Sequence, residues 1–292
     1  MSVETIKVHS LSKYYGKDRG IENVSFSVAK GEVFGFIGPN GAGKSTTIRT
    51  MLGLLQATNG SAEILGMDAL KEGQELRKHI GYLPSEVNYY DEMNSRELLE
   101  YSAGFYKNVN VSLIDELAAY YELDLNKKIA DLSFGNKKKC AIIQCLLHEP
   151  SVLILDEPTS GLDPLMQNKF FDMLEEQNEK GVTIFFSSHI LSEIQRMCSR
   201  AAVIRNGEIV TVENIQTLLE KQMKKVRVVF SEGSTFDLPL GAQNEKVNGT
   251  KLSFEYVGDI NKLLAWLSVQ NLQDAVLEEP DLESIFMNYY ER

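Results

Sequence analysis

Apolar and polar residues alternate along Val24-Ser-Phe26-Ser-Val28, the period-two pattern of a half-buried strand. A turn at Lys30-Gly31 leads into Val33–Ile37, a nearly continuous apolar run of the kind found in a parallel sheet covered on both faces. Val152–Leu155 and Val182–Phe186 repeat that pattern, each behind a turn signal and a helical stretch. Strands separated by helices predict βαβ crossovers and an α/β domain. Ala202–Val212 differs: Asn206-Gly207 between Val203-Ile204 and Ile209-Val210 predicts a type I′ hairpin.

Residues 86–149, between these strands, form a mostly helical insert. Asn94 and Glu97 have capping-box spacing ahead of Leu98, Tyr101 and Phe105, which recur at helical intervals. Ser112 is placed to cap a second helix carrying Ile114, Leu117, Ala118 and Tyr121. After residue 212 the pattern restarts. Val226–Phe230, Leu252–Val257 and Ala275–Leu277 read as strands, with Asn248-Gly249 near a turn. Ile260, Leu263, Leu264 and Leu267 fit one helix, and Leu282, Ile285, Phe286 and Tyr289 a closing one. The expected organisation is an α/β domain over 1–212 with the helical insert, followed by a small α+β domain over 213–292.

The chain has 292 residues, a size that suits two cores better than one. Thirty Lys and Arg against 41 Asp and Glu give a net charge of −11. A balance this acidic argues against broad nucleic-acid binding, which runs on Lys and Arg replacing phosphate counterions. It disfavours an anionic lipid surface on the same grounds. Cys140, Cys145 and Cys198 form no C-x-x-C pair and are expected to be reduced thiols, and the four histidines are scattered. The start, Met-Ser-Val-Glu-Thr, has no basic-then-apolar leader pattern, and no apolar run approaches the roughly 18–20 residues of a spanning helix. Work at a membrane is therefore expected to go through a partner.

Gly38-Pro-Asn40-Gly41-Ala-Gly43-Lys44-Ser45 matches G-x-x-x-x-G-K-[ST] between a buried strand and the helical run Thr46–Leu55. Glycines let backbone N–H groups turn towards phosphate oxygens, and the helix presents its N-terminus to the same anion. Lys44 is placed to reach the β- and γ-phosphates and the Ser45 hydroxyl to take a position on Mg²⁺. Val152–Leu155 ends in Asp156-Glu157, which brings carboxylates to the ligand-binding edge of the sheet. Asp156 fits a Mg²⁺ ligand acting through water, and Glu157 a general base for an attacking water. His189, after the strand ending in Ser187-Ser188, is expected to hydrogen-bond the γ-phosphate, and Asp163 reads on its own as a helix cap or turn residue. Leu132-Ser133-Phe134-Gly135-Asn136 opens a helix with a second anion-binding N-terminus, and Lys137–Lys139 reads as a solvated face.

Together these segments resemble the ATP-binding subunits of ABC transporters, which are P-loop NTPases. Gly38–Ser45 resembles the family's phosphate loop, Leu132–Asn136 its signature, Asp156-Glu157 its magnesium ligand and catalytic base, Ser160–Asp163 the loop that meets the other subunit, and His189 its switch histidine. The five occur in family order over residues 3–212. Tyr15 stands where the family has an aromatic that stacks on adenine, with Tyr14 as the alternative. The resemblance implies that ATP is held by Tyr15, Gly38, Asn40, Gly41, Gly43, Lys44, Ser45 and Thr46, with Ser133, Gly135 and Asp163 acting on a second ATP-binding subunit across a head-to-tail homo- or heterodimer. It implies catalysis by Glu157, His189 and Lys44, with Mg²⁺ on Ser45 and Asp156.

The resemblance further implies a transmembrane permease partner, docked near Tyr89 and Tyr90, and a cytoplasmic protein held at the inner face of the membrane. Two departures stand out: Ser85-Glu86 follows Tyr82-Leu-Pro84 where the family has Gln, and Phe134 and Asn136 replace Gly and Gln in the signature. The C-terminal 80 residues, with the segment from Glu278 to Phe286 near their end, resemble the extension of the bacterial drug- and antibiotic-export branch. The expected function is an ATPase that drives such an exporter. The alternative is a soluble ABC-type ATPase acting on ribosomes or nucleic acid.

Overall fold

The computed structural model describes residues 3–107, 109–215, 224–231 and 237–278. The chain divides into two compact units, Met1–Glu213 and Asn214–Arg292. The closing helix expected at Leu282, Ile285, Phe286 and Tyr289 lies outside the described residues.

The first unit contains two sheets. One is formed by β1 (Glu4–Tyr15), β2 (Asp18–Ala29), β4 (Asn59–Ile64) and β5 (Met67–Asp68) in the antiparallel order β2-β1-β4-β5. The other runs β10-β9-β3-β8-β7-β6, from β3 (Val33–Ile37), β6 (Ile80–Leu83), β7 (Val152–Asp156), β8 (Thr183–Ser188), β9 (Arg200–Arg205) and β10 (Glu208–Asn214). In it β9, β3, β8, β7 and β6 are mutually parallel, as the apolar runs require. β9 turns into β10 through Asn206 (φ 49°) and Gly207 (φ 82°), the two positive φ values of the expected type I′ hairpin. β1 was not anticipated. Ile6, Val8 and Leu11 are buried, but Ser10 at φ 47° and a register shift between Val8 and Leu11 break the alternation that would have revealed it.

Phe26 of β2 joins the two sheets. Its ring centroid lies 5.7 Å from Phe34, 5.6 Å from Phe36 and 5.5 Å from Phe185, which contributes from β8. The helices of this unit are α1 (Lys44–Met51), α2 (Gly73–Leu76), α3 (Ser95–Ala103), α4 (Ser112–Tyr120), α5 (Phe134–Leu146), α6 (Pro164–Glu179) and α7 (Leu191–Met197). The α3 capping box is present: Glu97 N donates to Asn94 Oδ1 and Asn94 N to Glu97 Oε2, both at 2.9 Å. Ser112 is not a cap. It is the first residue of α4, and Asn110 Oδ1 accepts from both its N–H and its hydroxyl, an Asx turn that leads the chain into the helix.

The second unit is an antiparallel sheet in the order β12-β13-β11-β14, from β11 (Lys224–Phe230), β12 (Ala242–Asn248), β13 (Lys251–Tyr256) and β14 (Leu272–Glu278), with α8 (Ile260–Ser268). Val226, Val228, Phe230, Leu252, Phe254, Tyr256 and Leu263 form its core. β12 is almost wholly exposed and carries no apolar face, so no hydrophobic pattern marks it.

Phe185 is fully buried and touches three aromatic rings across both sheets. Phe185→Ala is expected to lower the unfolding free energy of the first unit by about 3–5 kcal/mol, measured by urea titration. A loss under about 1 kcal/mol would mean that the two sheets are not joined through this cluster.

Candidate functional site

The ends of β3, β6, β7 and β8 converge at the carboxyl edge of the parallel sheet, where open α/β sheets bind ligands. At the end of β3 the chain enters a loop in which Gly41 (φ 79°) and Gly43 (φ 107°) are left-handed. Gly43 is the N-cap of α1 and, lacking a side chain, gives the first-turn N–H groups no cap bond. A Cβ there would meet Ile21 Cγ2 at 2.8 Å, and one on Gly38 would meet the Ile204 carbonyl at 2.5 Å, so both glycines also admit close packing. Lys44 opens α1, is 5% exposed, and folds back to donate to the carbonyls of Gly38 (2.7 Å) and Pro39 (3.1 Å).

The same ammonium pairs with Glu157 Oε1 at 3.0 Å, and His189 Nδ1 lies 3.3 Å from Glu157 Oε2. Burial pushes the Glu157 carboxyl up, but the hydrogen bond and charge of Lys44, helped by His189, outweigh it and hold the group below its ordinary range. Glu157 itself sits at φ 46°, a sparsely populated conformation for a residue with a side chain, and its N–H meets the Ser187 carbonyl and hydroxyl at 3.2 Å each. Asp156 is fully buried. Its Oδ1 accepts from the Ser187 hydroxyl at 2.9 Å, while Oδ2 has no hydrogen-bond partner. A buried, unpartnered carboxylate oxygen beside a phosphate loop is suited to a cation.

A cavity of about 900 Å³ opens on this edge. It is lined by Tyr15, Asn40, Gly41, Gly43, Lys44, Ser45, Thr46 and Glu157 among the expected residues, joined by Arg19, Ser85, Glu86 and Phe134. Gly38, Asp156 and His189 are not in the lining, though His189 contacts Glu157. Tyr15 is half exposed, whereas the Tyr14 hydroxyl is tied to Glu22 Oε1 at 2.6 Å, so only Tyr15 offers a ring face to the cavity.

Ser133, Gly135 and Asp163 are outside the lining. Ser133 caps α5 by accepting from Asn136 N, and Asp163 caps α6 by accepting from Met166 N at 3.0 Å. Gly135 passes so close to Gly161 that a Cβ would meet its carbonyl at 2.7 Å. The aromatic pair divides: Tyr89 is half-buried with its hydroxyl on Gln144, and Tyr90 is exposed and edge-on to Tyr101.

Two groups escaped the sequence reading. The middle residue of Lys137–Lys139 is not on a solvated face: Lys138 is fully buried and shares the inward side of α5 with Ile142 and Cys145, at i+4 and i+7. That spacing was the available signal. Glu193 on α7 is also buried, accepting from the hydroxyls of Thr159 (2.7 Å) and Ser188 (2.6 Å), and so ties the segment after Glu157 to the one before His189.

A family model described as ABC transporter matches residues 21–160. The chain is 39% identical over 67% of its length to an uncharacterised ABC transporter ATP-binding protein of Bacillus subtilis, spanning 65% of that relative. It is 34% identical to the bacitracin transport ATP-binding protein of Bacillus licheniformis, over 78% of this chain and 75% of that one. The chain belongs to the ABC transporter ATP-binding proteins. Within the family it is 29% identical to the linearmycin resistance ATP-binding protein of Bacillus subtilis over 97% of both chains, the second unit included. A solved ATP-binding subunit of an ABC transporter superposes with a TM-score of 0.69 at 31% identity, over 74% of this chain and 92% of that one. The fold is the P-loop ATPase cassette, and ATP binding and hydrolysis are its activity.

With Lys44 removed, burial acts on Glu157 less opposed. Lys44→Ala is therefore expected to raise the Glu157 pKa, read by carboxyl-carbon NMR titration. In the native chain the lowered pKa stabilises the fold above the ordinary carboxyl value of 4.5, and that contribution is lost as pH falls through the folded value. An unchanged pKa in the variant would break the link between the two side chains.

Proposed function

We propose that this chain is the motor of a membrane exporter of drug or antibiotic type, and that Glu157 is its general base. The observation that carries the reading is the contact chain Lys44–Glu157–His189, both contacts within 3.3 Å, beside the open oxygen of Asp156. Phosphates of ATP meet backbone N–H groups of the Gly38–Ser45 loop and the Lys44 ammonium, and the half-exposed Tyr15 ring offers its face to adenine. The donor set suits Mg²⁺, which Asp156 Oδ2, through water, and the Ser45 hydroxyl would hold; when bound, the ion would neutralise charge on the β- and γ-phosphates.

Glu157 accepts a proton from water as the water oxygen attacks the γ-phosphorus. The bond to the bridging oxygen then breaks, releasing ADP and phosphate. The γ-phosphate competes with Glu157 for Lys44, and losing that partner raises the proton affinity of the carboxylate when the substrate is present. His189 orients the carboxylate and reaches towards the γ-phosphate.

Ser133, Gly135 and Asp163 serve a second ATP-binding subunit in a head-to-tail homo- or heterodimer, a reading supported by their position outside the chain's own cavity lining. No helix among the described residues is long and apolar enough to cross a membrane, so transport requires a transmembrane permease, with this chain at the cytoplasmic face. The exposed rings Tyr90, Tyr101 and Phe105 stack edge to face on the helical insert and form an apolar ridge suited to that partner. The bacitracin and linearmycin relatives support export of an antibiotic-like cargo.

Lys44→Ala is expected to abolish ATP binding in calorimetry, and retained affinity would overturn the phosphate-loop assignment. Glu157→Gln is expected to keep ATP affinity while kcat falls by about 10²–10⁴-fold. Glu157→Gln purified with MgATP from detergent-solubilised membranes is expected to bring down a multi-span membrane protein. Ribosomal proteins or nucleic acid in its place would overturn the transport reading.

A further inference from the structure

The Lys138 ammonium has three N–H donors and meets three acceptors: the carbonyls of Pro84 (3.0 Å), Ser85 (3.2 Å) and Glu157 (3.2 Å). The side chain is fully buried, and burial pulls its pKa down to about 8 against the upward pull of Asp156, Glu157 and Cys145. An apolar residue would fill this space without that desolvation penalty, so packing alone gives no reason for a lysine. The three partners come from two separate segments, the loop leaving β6 and the residue that follows β7, while the lysine belongs to α5, five residues after Ser133.

Glu157 carries its carboxylate on a peptide at φ 46°, a conformation that persists only when its surroundings fix it from several sides. Ser187 holds the N–H side of that residue, and Lys138 holds the carbonyl side. The other two carbonyls belong to Pro84 and Ser85, and Ser85 lines the cavity together with Glu86. In this loop the part that Lys138 holds is the main chain, through the Pro84 and Ser85 carbonyls.

We propose that Lys138 is a positioning residue, aiming the Glu157 carboxylate by gripping its carbonyl and joining it to the Ser85-Glu86 loop. The proposal rests on Glu157 being the general base. Rotation of that peptide would move the carboxylate relative to the attacking water, and a misplacement of about 1 Å at a reacting centre lowers turnover by roughly 10²-fold. ATP affinity comes from the phosphate loop and is left in place.

The test compares Lys138→Met, Lys138→Gln and Lys138→Arg in the full chain by steady-state ATPase assay, with ATP affinity measured by calorimetry. Met keeps the length without donors, Gln keeps two donors without charge, and Arg keeps charge and donors. The expected result for Met is a kcat about 10–100-fold down with ATP affinity changed less than about threefold, Arg restoring most of the loss and Gln falling between. A Met variant with kcat within threefold of the parent, an affinity loss that accounts for the kcat loss, or an Arg variant no better than Met overturns the proposal. If Met does not fold, Gln carries the same criteria. Glu157→Gln assayed alongside separates the two claims: normal turnover there removes the base assignment, while an inactive Glu157→Gln with a normal Lys138→Met removes the positioning role alone.

Discussion

The Lys44 ammonium holds together the ends of three parallel strands. It grips the carbonyls of Gly38 and Pro39 where the chain leaves β3, and through Glu157 it reaches the end of β7 and, by way of His189, the end of β8. The group is 5% exposed, so its attraction to Glu157 is little screened by water. Such a cation is stable only when fully partnered. The strand order β3-β8-β7 supplies its partners by bringing those three ends side by side.

Around that pair the polar groups are arranged in tiers. The Ser187 hydroxyl donates to Asp156 and accepts from the Glu157 N–H, so one side chain fixes both carboxylate residues. Behind them Glu193 accepts from Thr159 and Ser188, closing a buried bracket around the loops that carry Glu157 and His189. In a low-dielectric edge each such bond strengthens its neighbours, and an unpaired member would be costly. Asp156 Oδ2 is the one carboxylate oxygen among the described residues left in that state, which is why it stands out as the place for a cation.

Much of this was legible from the chain. The apolar runs of β3, β7 and β8 are uninterrupted, and each ends where its chemistry begins, so the phosphate loop, Asp156-Glu157 and His189 could be put at one edge before any coordinates. The Asn206-Gly207 hairpin and the Asn94–Glu97 capping box were readable because local backbone chemistry decides them. What failed to show had tertiary causes. β1 is interrupted at Ser10, and β12 has no buried face to leave a pattern. Lys138 and Glu193 have the composition of surface residues, and what buries them is carbonyls and hydroxyls supplied from 30 or more residues away in most cases. Charge composition reports solvation only when the partners are local.

Two lysines meet the same acidic residue in different ways, and the difference assigns them different work. Lys44 binds the Glu157 carboxylate, so it acts on the proton affinity of that group and is the partner that a phosphate can displace. Lys138 binds the Glu157 carbonyl, which carries no proton in either state, so it acts on direction and leaves basicity to the other lysine. In the role of general base proposed for Glu157, proton affinity and aim call for separate controls. One ammonium lies on the side chain and the other on the main chain, and because the second also grips Pro84 and Ser85, the proposed positioning role couples the aim of Glu157 to the loop at the cavity wall.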